Sequence, residues 1–376
     1  MSYCALCENE ITHLNDSKEH IVPQAIGGRR KIRRFICKKC NSGGGQDWDA
    51  KLAEQYNWFS VALNIKRENG SYPPSQLVRT TGGQGLIFHA DGTMSPDKPE
   101  IITADTPAGR RISIKARTKG EARKILLGIQ RKYPNNNLLH VLETAAVEST
   151  LPDGPIMTSF EFGGPFAGRS IVKTAMAMAC SMSLPYTACD YALCYLTGEG
   201  STPAFAEFLI RDLVLNRPTA TVFHVVSVFG DPTNQRLIAY IEYFGVSRFV
   251  VHLSNSYQGS AIQQTYSINP VTGEELDIAV DLALSDKEYE LTLINDAVPQ
   301  GSREAVFNYV MPIVLRSMYK REDERVFKQA FMDTCLELGL SQDQELSEEQ
   351  YQRFSFQFAQ KWALHILHIQ KNRPRL

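Results

Sequence analysis

Two C-x2-C pairs, Cys4 with Cys7 and Cys37 with Cys40, bracket a short polar segment at the amino terminus. A stretch of this size cannot bury enough apolar surface to fold around a core of its own. Four thiolates close a tetrahedral shell around zinc, and a closed shell is the structural kind. The spacing therefore predicts one structural Zn2+ per chain, held by Cys4, Cys7, Cys37 and Cys40. The other cysteines, Cys180, Cys189, Cys194 and Cys335, lie in apolar surroundings without paired spacing and read as core residues. Eight cysteines and no charged-then-apolar leader point to a reducing, cytoplasmic setting. The most apolar run, "IVKTAMAMACSMSLP", is interrupted by Lys173 and Pro185 and is too short to span a bilayer, so no membrane partner is expected.

Between the cysteine pairs stands "SKEHIVPQAIGG". Pro23 and Gly27-Gly28 argue against a helix, and the β-branched Ile21 and Val22 favour a short strand ending in a turn. Neighbouring strand side chains point to opposite faces, so Glu19 and His20 serve one site only if the backbone bends there. A helix is expected over "DWDAKLAEQYNWFSVAL", with Asp47 as its N-cap. His13 reads as a surface-loop residue, and His365 and His368 as residues of a packed carboxy-terminal helix.

Taken together, C-x2-C, Glu19-His20-Ile21-Val22-Pro23, Gly27-Gly28 and C-x2-C followed at once by Asn41 resemble the zinc-stapled ββα-metal module of HNH endonucleases. The resemblance covers roughly residues 1 to 60. It implies a hairpin whose first strand ends at the acid-His pair, then a helix beginning near Asn41. It implies further that His20 is the general base that deprotonates water, and that Glu19 and Asn41 ligate a catalytic Mg2+ or Mn2+. The products would carry a 5′ phosphate and a 3′ hydroxyl. The residue types suit that chemistry: a neutral imidazole accepts a proton near pH 7, and a hard cation prefers carboxylate and amide oxygens. The family's central Asn is absent, since its place is Ile32 and no Asn lies between Gly28 and Cys40. Either a backbone carbonyl or a side chain from elsewhere must then orient His20. Asp49 is a further candidate ligand, provided the Gly43-Gly44-Gly45 run breaks the helix geometry that would otherwise leave it about 12 Å from Asn41.

The formal net charge of −1 says nothing about partners, but its distribution does. Arg29, Arg30, Lys31, Arg33, Arg34, Lys38 and Lys39 follow one another without an acid and read as a DNA-phosphate surface. Nine Lys or Arg residues between Arg110 and Lys132 face the single acid Glu121, while eight acids gather between Glu274 and Asp296. DNA is the expected partner. A homo-oligomer or a defence-system partner is a further expectation, from the likeness of this layout to restriction and phage-defence nucleases.

Beyond the module the patterning is mixed. Strands are expected around Asp91-Gly92, over "RRISIKA", near 139–148 and 156–163, and in four runs from 221 to 268. Helices are expected over "KGEARKILLGIQRKY", near 169–183, from Arg303 to Tyr319 with a kink at Pro312, and near 323–339 and 347–370. The expected class is α+β, with a ββα-metal module at 1–62 and a larger α+β accessory domain at 63–376. That domain would select DNA, bind a regulatory ligand or mediate assembly. A nucleic-acid-binding zinc protein with weak or lost catalysis is the competing reading.

Overall fold

A computed structural model of the chain describes residues 2–107, 109–134, 138–142, 152–200, 202–341 and 344–373. The amino-terminal part opens with two two-stranded antiparallel ribbons. In the first, β1 (Ser2–Tyr3) pairs with β2 (Glu10–Ile11); in the second, β3 (Glu19–His20) pairs with β4 (Lys31–Ile32). The strand of the acid-His pair is only two residues long, and Ile21 and Val22 turn inward as a fully buried bend. Gly28 is required there by close approach, because a Cβ would stand 1.8 Å from the Val22 carbonyl oxygen. Gly27, at φ 101°, would drive a Cβ to 2.7 Å from Pro270, so the turn is fitted against a distant part of the chain.

A helical run follows: α1 (Lys38–Gly44), a π-helical turn over Gly45–Asp49, α2 (Ala50–Gln55) and α3 (Asn57–Ala62). It begins earlier than the expected helix, directly at the second cysteine pair. Asp47 therefore lies inside the run and is not its N-cap. Glycines have weak helical propensity, and the backbone widens to the π form where they cluster.

The accessory region begins with a four-stranded antiparallel sheet of order β10-β5-β6-β7, built from β5 (Gln76–Thr80), β6 (Gly85–Phe88), β7 (Met94–Pro96) and β10 (Ile156–Met157). Asp91-Gly92 turns β6 into β7, as expected. An exposed hairpin, β8 (Glu100–Thr106) with β9 (Gly109–Lys115), leads to α4 (Lys119–Gln130). The strand expected near 139–148 is a 3-10 turn over Leu138–Leu142, and 143–148 lies outside the described residues. Of the strand expected at 156–163 only Ile156–Met157 forms.

The centre is a five-stranded antiparallel sheet of order β11-β14-β13-β12-β15, from β11 (Phe205–Glu207), β12 (His224–Asp231), β13 (Arg236–Tyr243), β14 (Ser247–Ser254) and β15 (Ile262–Ile268). Its residues alternate between two cores, as a period of two requires. Ile238, Tyr240 and Val250 face a smaller core closed by Ile278, Val280 and α7 (Asp286–Leu293). Leu237, Ala239, Ile241 and Val251 face the main core. On that side lies α5 (Gly164–Ser181), buried all round from Ser170 to Ala179, with α6 (Asp190–Thr197) beside it. The π turn and α2 pack on α5 in turn, so α5 is a central layer between the sheet and the amino-terminal part. One apolar core runs from Ile21, Ile26, Tyr56 and Phe59 through α5 into the sheet, crossing residue 62 without a break.

The chain ends in α8 (Ser302–Glu337) and α9 (Glu348–Asn372), which pack against each other. The two helices expected at 303–319 and 323–339 are thus one, running through Pro312. Of the cysteines expected in the core, Cys189 is fully buried, Cys180 and Cys335 are half-buried, and Cys194 is exposed. His13 is exposed, and His365 is buried with Nε2 2.8 Å from Asp323 Oδ1. Among the described residues, no helix is long and apolar enough to cross a membrane.

Candidate active site

The four cysteine sulfurs Cys4, Cys7, Cys37 and Cys40 all lie within 4.8 Å of one another. The Cys7 and Cys37 sulfurs are 3.8 Å apart. Zinc–sulfur bonds of about 2.3 Å in a tetrahedron set sulfurs about 3.8 Å apart, so the cluster has the dimensions of a Zn2+ shell. Donors around it suit thiolates. The Cys37 N–H donates to Cys4 Sγ at 3.3 Å, and Asn9 Nδ2 donates to Cys7 Sγ at 3.4 Å. The Asn9 backbone N–H leads in holding the Cys7 thiol down to about 7. The cluster ties the first ribbon to the start of α1, and with it the position of Asn41 in the first turn.

Glu19, His20, Asn41 and Asp49 line one cavity of about 590 Å³, together with Glu54, Asn57 and Arg67. The ribbon supplies the first two, α1 the third and the π turn the fourth. The acid and the imidazole reach the same cavity because the strand bends after His20. Asp49 reaches it because the π turn intervenes between it and Asn41.

Glu19 is 4% exposed, and its Oε1 accepts a hydrogen bond from the Lys173 ammonium. The same ammonium donates to Asp49 Oδ2 at 2.7 Å, while Ser170 Oγ donates to Asp49 Oδ1 at 2.5 Å. Burial pushes the Glu19 carboxyl up, and Lys173 pulls it back. Burial also works against the Lys173 charge, but Asp49 and Glu19 outweigh it and the ammonium keeps its proton more tightly than an ordinary lysine.

His20 has Nε2 buried and 3.4 Å from Glu68 Oε2, without the alignment of a hydrogen bond. Burial holds its pKa below the ordinary histidine range, with Glu68 pulling the other way. Glu68 is fixed by Lys31 Nζ at 2.5 Å, which keeps its carboxyl below the usual range. The group that approaches the imidazole is thus a side chain from beyond the helical run. Arg67, next to Glu68, lines the cavity with a buried Nε that has no hydrogen-bond partner.

Sequence reasoning missed Lys173, Ser170, Glu68 and Arg67. Lys173 did carry a signal: a lone cation in an otherwise apolar helix needs an anion. The other three carried none.

The basic run is not the open patch its sequence suggests. Arg30 pairs with Glu275 at 2.6 Å and stacks over Tyr266, Lys31 pairs with Glu68, and Arg33 lies 3.5 Å from Asp16. Arg29 donates to the Lys66 carbonyl and Lys38 to the Leu14 carbonyl. Arg34 and Lys39 are exposed. In the second basic stretch Arg110 pairs with Asp105, Lys115 with Glu100 and Arg117 with Glu121.

A model of the HNH endonuclease family matches residues 4–57, the span that holds the cysteine cluster, Glu19, His20, Asn41 and Asp49. No curated protein and no solved structure matches the chain. The match ends before Arg67, Glu68 and Lys173. The amino-terminal part is therefore a module of HNH type, set in a chain whose remaining residues reach back into its cavity.

Proposed function

We propose that the protein is a metal-dependent endonuclease that hydrolyses DNA phosphodiester bonds at the cavity between the Glu19–His20 ribbon and the helical run. The observation that carries this reading is the convergence of an acid, an imidazole and an amide, in an HNH module, on one cavity. His20 is the general base. Its lowered pKa keeps the ring neutral near pH 7, the form that accepts a proton. Glu19 and Asn41 offer carboxylate and amide oxygens, the donor set that fits Mg2+ or Mn2+. Such an ion, when bound, supplies charge stabilisation at the phosphate and the leaving 3′ oxygen. Arg67 meets the same phosphate from the cavity wall, and Asp49 shares the Lys173 ammonium with Glu19. The products expected are a 5′ phosphate and a 3′ hydroxyl. The biological setting proposed is restriction or phage defence, by likeness of layout alone.

A ligand-gated form of this reading has one observation in its favour. A cavity of about 920 Å³ in the accessory region is lined by Arg169, Tyr195, Phe205 and Phe249, and Arg169 is the residue before Ser170 on α5.

Supercoiled plasmid with Mg2+ or Mn2+ tests the assignment. Wild type should nick and linearise it, and His20→Ala should bind DNA as well but cleave at least roughly a hundredfold more slowly. Cleavage by His20→Ala at the wild-type rate would remove the catalytic assignment.

A further inference from the structure

The Lys173 ammonium stands between Glu19 and Asp49 although α5 lies far outside the matched segment. Lys173 is 1% exposed and Glu19 4%. Asp49 has both oxygens engaged by α5, one by Ser170 and one by Lys173, whereas Glu19 gives the ammonium only Oε1. The buried Glu19 and Lys173 and the half-buried Asp49 make a group of net charge −1 (two negative, one positive). The ammonium pairs with both acids at once, so its charge offsets one of theirs.

Resting on the reading of this cavity as a metal-dependent nuclease centre, we propose that Lys173 is a positioning residue of that centre. It is a resident cation that keeps Asp49 turned to α5, leaves the second Glu19 oxygen for the cavity, and sets the net charge with which the site attracts a divalent ion. The accessory region thereby tunes the metal affinity of the module. Charge near a metal site acts through Coulomb attraction, and one unit charge roughly 6 Å from a divalent ion changes affinity by about tenfold even under water-like screening. Affinity should therefore follow the summed charge of Glu19, Asp49 and Lys173, and not simply the number of acids.

The test uses the full-length, zinc-loaded protein and reads Mn2+ binding from the electron paramagnetic resonance of free Mn2+. Wild type carries −1 at this group, Lys173→Met −2, Asp49→Asn zero, and the Lys173→Met/Asp49→Asn double variant −1. The Mn2+ dissociation constant should fall roughly tenfold in Lys173→Met, rise roughly tenfold in Asp49→Asn and return to near the wild-type value in the double variant. Glu19→Gln, which removes the proposed ligand, should abolish this binding. A purely structural role for Lys173 would lower the melting temperature without producing this order. Should Lys173→Met fail to fold, Asp49→Asn, which keeps the Glu19–Lys173 pair, and the double variant decide the matter. Equal or tighter Mn2+ binding by Asp49→Asn overturns the proposal, as does weaker binding by Lys173→Met or binding indifferent to Glu19→Gln. Plasmid cleavage on the same samples separates the two readings. If Mn2+ binding follows the charge series but no variant or wild type cuts DNA, the nuclease assignment falls and the role of Lys173 stands. If wild type cuts, His20→Ala does not, and Mn2+ affinity ignores the series, the nuclease stands and the role of Lys173 falls.

Discussion

At the scale of single residues, His224 shows how the module is fastened. It is fully buried on β12, where its Nε2 donates to the Ile26 carbonyl at 2.8 Å and its Nδ1 accepts the Phe244 N–H at 3.0 Å. Both bonds need the neutral ring, and protonation would turn the acceptor into a donor facing another N–H. Burial drives the pKa down to about 4. The unfolded chain binds the proton near pH 6.5, so between those values the unfolded state is the more protonated. The stability contributed is complete above about pH 6.5 and is lost as pH falls through about 4, to the extent of about 3 kcal/mol. Urea midpoints measured from pH 7 to 4 should fall steeply in wild type and less steeply in His224→Gln. Parallel curves would show that the decline arises elsewhere, for instance at His252, also lowered to about 4 by burial. None of this was visible beforehand. The pair Glu19-His20 announced itself by its neighbours, but nothing in "TVFHVVSVFG" says that this histidine reaches a turn some two hundred residues away.

Elements were more legible than contacts. The four runs from 221 to 268 became four strands of the central sheet because alternation in a buried strand is a local property of the chain. The cysteine spacing likewise told of the cluster without any knowledge of the rest. What periodicity leaves open is which faces meet, and here that decides whether the module stands alone. Tyr56 and Phe59 are fully buried, yet their partners are distant in sequence. Tyr56 stacks on Phe162 at 4.8 Å and meets Tyr243 at 5.4 Å, and Phe59 stacks on Phe244 at 5.5 Å. Removing those partners re-exposes apolar side chains worth roughly 1.5–3 kcal/mol each. Glu19 and Asp49 would lose Lys173 as well. Residues 1–65 loaded with zinc should therefore bind the metal but lack a cooperative melting transition and show poorly dispersed amide spectra. A dispersed spectrum with a sharp melt would mean that zinc alone supplies enough stability.

For the whole molecule, charge separated along the chain proves not to be charge separated in space. Glu275, within the acidic stretch, lies against Arg30 in the basic one, and Glu100 and Asp105 cross a hairpin to meet Lys115 and Arg110. Composition counted those cations as an open surface because it cannot see which acids fold back onto them. Among the described residues, Arg34 and Lys39 are the cations of the first run whose side chains have no hydrogen-bond or ion-pair partner, both exposed and both close in sequence to the cysteine cluster. Neutralising a phosphate contact removes the release of about 0.9 counterion from duplex DNA. The double variant Arg34→Ala/Lys39→Ala should thus weaken binding to unrelated duplexes alike and reduce the slope of log affinity against log salt by about 1.8. Arg30→Ala, whose charge Glu275 already balances, should change that slope by less than about half a unit. The comparison needs only equilibrium binding of two duplexes of different sequence across a salt series. A flat response in the double variant with a large one in Arg30→Ala would place the DNA on the Glu275 side of the ribbon, and the cavity mouth would have to be approached from there.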